Sequence, residues 1–247
     1  MKIVACYSNK GGVGKTASAV NIAYGLAKAG QRVLLCDLDP QGASGFYFRV
    51  KPSKKLTDAR FFTDVKRFTS AIRGSDFDNL DILPANMSFR DFDVFLSRMK
   101  NSRSRLKKAL KSVDKDYDVV LLDCPPNIST LSENVFKSAD AILVPVIPTT
   151  LSERTFEQLL AFFDENGLPK KKILGFFSMV QGTKKLHSET VEAMRKQYGK
   201  RLLDVAVPFS SEVEKMGVHR APVGTFAGNN AAVKGYDLLC NELLERL

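Results

Sequence analysis

Three glycines fenced by two lysines, Lys10-Gly11-Gly12-Val13-Gly14-Lys15-Thr16, stand between an apolar segment, Lys2–Ser8, and a stretch with helical periodicity, Lys15–Lys28. Few sequence features restrict a fold so tightly. Glycines let backbone N–H groups approach phosphate oxygens without Cβ collisions. A lysine then reaches the β- and γ-phosphates and a hydroxyl serves Mg2+. A helix starting at the loop adds the positive end of its dipole. Gly11, Gly12, Val13 and Gly14 meet the backbone requirement, Lys15 and Thr16 supply the side chains, and Ala17 is the next helical position on the same nucleotide. The general pattern places glycine at position 9, where this chain has Asn9. The reading is an ATP site with Mg2+. Lys10 has no evident duty towards a phosphate that Lys15 already holds, and read alone it could be a solvated surface charge.

Strand-like and helix-like segments alternate along the chain. After Lys15–Lys28 come apolar runs at Gln31–Asp37, Asp81–Pro84, Tyr117–Asp123, Ala141–Val146, Lys172–Val180 and Leu202–Val207. Helical patterns fall around Phe89–Leu110, at Glu153–Asn166, at Ser188–Tyr198 and at Ala231–Leu247. Near-continuous apolar runs of strand length suit strands buried on both faces. Their alternation with helices predicts an α/β fold with a mostly parallel, twisted sheet covered on both sides. With no repeat, linker or low-complexity tract, residues 1–247 are expected to form a single P-loop domain, with 43–79 as an irregular insertion rich in Phe, Lys and Arg.

Two further sites carry carboxylates at strand ends. Asp37 and Asp39 lie in Cys36-Asp37-Leu38-Asp39-Pro40-Gln41, at the carboxyl end of the second apolar run, where such sheets open on their ligands. Asp123 closes Val119-Val120-Leu121-Leu122 and precedes Cys124-Pro125-Pro126. A carboxylate ending four apolar residues is costly unless it faces a cation or water, so Asp123 is expected on Mg2+ through a water.

Taken together, these segments resemble the ParA/MinD family of deviant Walker A ATPases. The resemblance rests on K-G-G-x-G-K-[ST] at positions 10–16, on D-x-D-P-Q from Asp37, and on Asp123 with its Pro-Pro sequel. It is close over Lys2–Gly45, continues through Tyr117–Leu160 and returns more loosely at Val207-Pro208 and in the last helix; Asn127-Ile128-Ser129 departs from the usual glycine-containing continuation. It implies that Lys10 crosses a dimer interface to the partner's nucleotide, as an arginine finger does elsewhere. It also implies that Asp39 orients the attacking water and that Asp37 helps to hold the metal shell, with Thr16 and Asp123 as the other metal residues. Met179 and Pro208 match positions lining the adenine pocket in relatives, and Phe209 departs from the polar residue frequent there.

Charge bears on the partner. The chain carries 37 Lys and Arg against 27 Asp and Glu, a formal net charge of +10, which favours polyanionic partners. The basic residues gather in Arg49–Arg73, in Arg98–Lys111, which holds seven and no acid, and in Lys170–Arg220. With the resemblance, this favours non-specific DNA binding, and Lys184, Lys185, Arg195, Lys215 and Arg220 are the candidate contacts. A membrane-bound relative would need a basic amphipathic C-terminal helix. Here the tail Asp237–Leu247 carries mostly acids among leucines spaced for a core. An iron–sulfur role needs cysteine ligands that Cys6, Cys36, Cys124 and Cys240 are not spaced to supply. Without a secretory leader pattern or a long apolar run, a cytoplasmic, nucleoid-associated location is expected. The expectation is therefore an ATP-dependent homodimer that binds DNA and partitions or positions a cargo. A ParB-like activator with a basic N-terminal segment would release it, and intrinsic turnover would be slow. A MinD-like positioning ATPase, a metabolic or assembly ATPase without DNA affinity, and a non-enzymatic scaffold are the alternatives.

Overall fold

A computed structural model describes the backbone of residues 1–247 and all side chains except those of Asp58, Ala59 and Arg103. The strands are β1 (Lys2–Cys6), β2 (Val33–Asp37), β3 (Arg73–Gly74), β4 (Leu80–Leu83), β5 (Val119–Asp123), β6 (Ala141–Val146), β7 (Ile173–Val180) and β8 (Leu202–Pro208). They form one eight-stranded sheet in the order β3-β4-β2-β5-β1-β6-β7-β8. Only the two-residue β3 runs antiparallel to its neighbour; the other pairings are parallel. The predicted α/β class and parallel sheet are thus present, with each long apolar run as a strand.

Period-two alternation splits the strands between two cores. Along β1 and the residue that follows it, Ile3, Ala5 and Tyr7 enter one core, while Val4 and Cys6 enter the other. Both faces are therefore apolar, as parallel strands under helices require. The second core is closed by α1 (Lys15–Lys28) and by the last helix, whose Leu239, Cys240 and Leu243 are buried. All four cysteines are free and buried.

Between β2 and β3 lie α2 (Ala43–Tyr47), α3 (Asp58–Thr63) and α4 (Val65–Ala71). The expectation of an irregular insertion over 43–79 is corrected here: the segment holds short helices and a buried aromatic cluster. The Phe61 ring lies 4.9–5.5 Å from those of Phe62, Phe68, Phe89 and Phe92, so the phenylalanines that obscured any periodicity are the insertion's own core. The helical stretch expected around Phe89–Leu110 is divided into α5 (Phe92–Ser97) and α6 (Arg105–Leu110), with Asn101 between them at φ +56°. The remaining helices are α7 (Thr130–Ser138), α8 (Thr150–Glu165), α9 (Lys185–Tyr198), α10 (Ser211–Glu214), α11 (Met216–His219) and α12 (Ala231–Arg246). Among the described residues no helix is long and apolar enough to cross a membrane.

β5 and β6 flank β1, so the chain winds one way towards β4 and then reverses through β5 to the other half of the sheet. The carboxyl ends of β1, β2 and β5 meet at that reversal, the place where open α/β sheets bind ligands.

Candidate functional site

The loop between β1 and α1 needs its glycines. Gly12 and Gly14 adopt φ +72° and +85°, a region that favours residues without a Cβ. At Gly14 an added Cβ would also lie 3.2 Å from Met179 Cε. Gly14 caps α1 with no side-chain hydrogen bond, and the helix has no acid in its first turn. Its first N–H groups thus remain open for an anion, with no carboxylate to compete.

Lys15 lies inside this loop, 8 % exposed, and its Nζ donates to the Lys10 carbonyl at 3.0 Å. The loop therefore wraps around its own lysine. Lys10 points elsewhere: its Nζ donates to Ser152 Oγ at 3.1 Å, on the first turn of α8, and Ser152 also accepts from Thr149 Oγ1 at 3.1 Å. Two lysines five residues apart thus do different things, one holding the cradle and one held away from it. Ser178, buried on β7, closes the other side by donating to the Val13 carbonyl at 3.2 Å. Neither Ser152 nor Ser178 was singled out from the sequence, because a lone serine between apolar residues carries no periodic or motif signal.

Asp37 and Asp123 are paired across β2 and β5, and both are buried. They differ in what occupies them. Asp37 Oδ1 accepts from the Asp39 amide at 3.1 Å, and Oδ2 from the amides of Ser44 at 3.1 Å and Gly45 at 3.4 Å. It is the bracket that folds residues 38–45 into a turn, which passes through Gly42 at φ +66°. Asp123 Oδ2 accepts from Ser44 Oγ at 2.8 Å and the carboxyl also bonds the Thr16 hydroxyl, yet Oδ1 is buried without a partner among the described residues. Burial pushes Asp123 up to about 6 against the pull of the Ser44 and Thr16 hydroxyls. Burial, then the charge of Asp123, holds Asp37 well above the usual carboxylate range. Asp39 is half-buried, and its Oδ1 accepts from the Gln41 amide at 3.0 Å.

An unpartnered buried carboxylate oxygen beside a threonine hydroxyl fits Mg2+, which takes one or two protein oxygens and completes its shell with phosphate and water. No cluster of three or more His, Cys, Asp or Glu shaped for a metal exists among the described residues, and such an ion needs none. Of the three residues expected on the metal, Asp123 keeps a free oxygen beside the Thr16 hydroxyl, whereas the oxygens of Asp37 accept backbone amides. Asp37, with both oxygens taken by amides, is a positioning residue for the turn that carries Asp39. Burial and then Asp123 push the Cys124 thiol well up, so it is no thiolate.

Met179 and Pro208 lie at the carboxyl ends of β7 and β8, where Val180 pairs with Pro208, and Met179 (φ +55°) rests on Gly14. Of these two expected residues, Met179 lies against the loop.

The five candidate DNA contacts differ in what holds their side chains. Lys184 and Lys185 begin α9, Lys185 lying 3.5 Å from Glu189. Arg195 lies ten residues along that helix from Lys185, about 15 Å away. Its Nη2 donates to the Asp204 carbonyl at 2.6 Å and its Nη1 pairs with the Asp204 carboxylate at 3.4 Å. Lys215 pairs with Glu212 at 2.7 Å. Arg220 stacks over Phe46, 4.6 Å from its centroid, and donates from Nε to the Phe46 carbonyl. Only Lys184 has no side-chain partner among the described residues.

Comparison with known proteins fits this architecture. A family model described as an AAA domain matches residues 1–174. The chain is 28% identical over 251 residues to the chromosome-partitioning ATPase Soj of Treponema pallidum, covering 99% of this chain and 98% of that protein. Cobyrinic acid a,c-diamide synthase of Mycobacterium smegmatis, solved with an ATP analogue and magnesium, superposes with a TM-score of 0.81 at 24% identity over 99% of this chain and 95% of that one. Apo McdA of Cyanothece superposes at 0.83 with 19% identity, covering 98% of this chain and 99% of that one. At these identities the two structures speak to the fold.

Proposed function

We propose a function from the premise that the chain belongs to the AAA-domain family, within the ParA/MinD group: an ATPase that partitions or positions a cargo, closing as a dimer on ATP and binding DNA in that state. The observation that carries the reading is the division of labour between Lys15 and Lys10. Lys15 is buried in its own loop, its ammonium on the Lys10 carbonyl, where it would meet the β- and γ-phosphates. Lys10 leaves that loop and is held by a serine hydroxyl on another helix, free to exchange Ser152 for a phosphate oxygen of a facing subunit. Charge supplied there in trans makes binding and dimerisation one event.

Thr16 and Asp123 would hold the metal, which would supply charge neutralisation at the phosphates. Asp39 carries the acceptor that orients the attacking water, on a turn fixed by Asp37. Slow turnover, accelerated by a ParB-like or cargo-adaptor activator, lets the nucleotide state act as a clock. Location in the cytoplasm on the nucleoid follows from DNA binding. The buried face of α12 is taken by the core, which disfavours a MinD-like membrane anchor there.

The test is sedimentation velocity with Mg2+ and ATP or ADP, followed by DNA binding in both states. Dimer formation and tighter DNA binding with ATP are expected; a chain that stays monomeric with ATP, or binds DNA equally in both states through Lys184 and Lys185, removes the reading. Lys15→Ala is expected to weaken ATP binding at least about 100-fold by calorimetry, since a charge-assisted bond and its buried geometry are both lost.

A further inference from the structure

Among the described residues, Ser44 alone bonds both buried carboxylates. Its amide donates to Asp37 Oδ2 at 3.1 Å and its hydroxyl to Asp123 Oδ2 at 2.8 Å, and the residue is itself fully buried. Asp37 and Asp123 stand side by side on β2 and β5, so one serine sets a donor on each of two neighbouring carboxyls. It falls in the stretch that the sequence left irregular, two residues beyond the Gly42 turn and in the first turn of α2.

The turn that carries Asp39 has little freedom apart from this bond. At its entry the Leu38 amide donates to the Asp123 carbonyl at 2.9 Å, and within it the Gly42 amide donates to the Asp39 carbonyl at 2.9 Å. At its exit α2 abuts the chain after β4, where a Cβ on Gly45 would lie 2.9 Å from Pro84 Cβ. These contacts hold the turn on β2 and on the main chain of β5. Of the turn's groups, only the Ser44 hydroxyl bonds the Asp123 side chain. Asp123 has a matching need. The χ2 torsion of an aspartate is broad, so rotamer preference does not decide which carboxylate oxygen faces the loop. The hydroxyl on Oδ2 decides it and leaves Oδ1 bare.

We propose that Ser44 is a positioning residue for ATP hydrolysis, its hydroxyl linking the metal carboxylate, Asp123, to the turn that bears Asp39. The inference rests on the roles given to those two aspartates above and adds the bond through which they act together. A partner behind a metal ligand fixes the ligand's orientation, and its loss commonly costs about 10- to 100-fold in metal affinity or activity. Here that partner is also the residue whose amide secures the turn, so one serine sets both the pose of Asp123 and the placement of Asp39. Without the hydroxyl, the carboxylate is free to rotate with a buried oxygen unpaired, and the turn loses its bond to the metal carboxylate. A water-orienting group displaced by about 1 Å can lose on the order of 100-fold in rate.

The experiment compares the full-length wild type with Ser44→Ala and with Ser44→Thr, which keeps the hydroxyl. Calorimetry of a non-hydrolysable ATP analogue across a Mg2+ series reads the metal site without turnover. For Ser44→Ala the half-saturating Mg2+ concentration is expected to rise about tenfold, with unchanged affinity for the analogue in EDTA. At saturating Mg2+ its kcat for ATP should stay at least about tenfold below wild type, with KM within about threefold. Ser44→Thr should bring the Mg2+ midpoint and kcat back to within about threefold of wild type. A Ser44→Ala chain with the wild-type midpoint overturns the inference. So does one whose kcat returns in full at saturating Mg2+, since Asp39 then needs no such bond. Analogue affinity lost equally with and without Mg2+ marks a merely structural serine and overturns it too. Should Ser44→Ala not fold, Ser44→Cys, of similar volume and a weaker donor, enters the same series. A wild type that binds no ATP removes the proposed function itself, whereas equal turnover and midpoint in wild type and Ser44→Ala remove only this inference.

Discussion

At the scale of single residues, what matters is which polar atoms are satisfied. Asp123 has a folded pKa of about 6, above the ordinary 3.8, so the folded chain holds this proton more tightly than the unfolded one. The carboxyl's contribution to stability is then fully present below about pH 4 and is lost as pH rises through 6. Asp123→Asn removes the charge while its Oδ can still accept from Ser44. The nucleotide-free variant should therefore be more stable than the wild type at pH 7.5, by on the order of 1–3 kcal/mol and with a higher melting temperature, the gain vanishing towards pH 4. Equal melting temperatures across that range would contradict the burial of an unpaired charge. On the proposed metal role the order reverses with ATP and Mg2+, because a carboxyl that faces the cation, directly or through a water, is held deprotonated. Ser152→Ala addresses Lys10 in the same manner. Losing the 3.1 Å bond that holds its ammonium should favour ATP-driven association by roughly 3- to 10-fold, in line with about 1 kcal/mol for such a bond. Sedimentation velocity reads it, and weaker association would show that Ser152 assists the dimer instead.

Among the elements, α1 links the phosphate loop to the core, and its packing on α12 is set by one glycine. A Cβ at Gly25 would lie 2.7 Å from Cys240 Sγ, well inside contact distance. Gly25→Ala should thus cost about 1–3 kcal/mol by overpacking, despite the better helix propensity of alanine. Cys240→Ala in the same chain should recover most of that loss, and thermal melts of the cycle measure it. Additive effects would mean that α1 and α12 adjust freely. The 38–45 turn is another such unit: Asp37 fastens it by three amides and Ser44 ties it to Asp123, so Asp39 is positioned by β2 and β5 together.

Over the whole molecule, the two edges of one parallel sheet carry different chemistry. The carboxyl edge gathers the loop, the carboxylates and Met179, while the amino edge gathers Lys171, Lys172, Lys200 and Arg201 around Asp140. In the dimer reading, Asp39→Ala blocks hydrolysis while leaving the cradle intact, so an ATP-bound dimer should accumulate and persist during gel filtration. A variant that turns ATP over at the wild-type rate would remove Asp39 from the reaction.

The fold and the phosphate site were legible in the sequence because both rest on local rules. Buried parallel strands must be apolar on both faces, and a loop that cradles phosphate must be glycine-rich between a strand and a helix. The chain between residues 43 and 79 was not legible, since its order comes from phenylalanines that pack on one another from distant positions, Phe61 against Phe89 and Phe92 among them. The same limit governed the site's finer roles. Residue type and spacing placed Asp37, Asp123, Lys10 and Lys15 at strand ends and in the loop. Only the tertiary structure decided that Asp37 is filled by amides, that Asp123 keeps a bare oxygen, and that Lys10 rests on a serine 142 residues away. Net charge was likewise a property of the sequence, but which cations lack partners was not. Pairing depends on which side chains the fold brings within about 4 Å, and a linear pattern does not contain those distances.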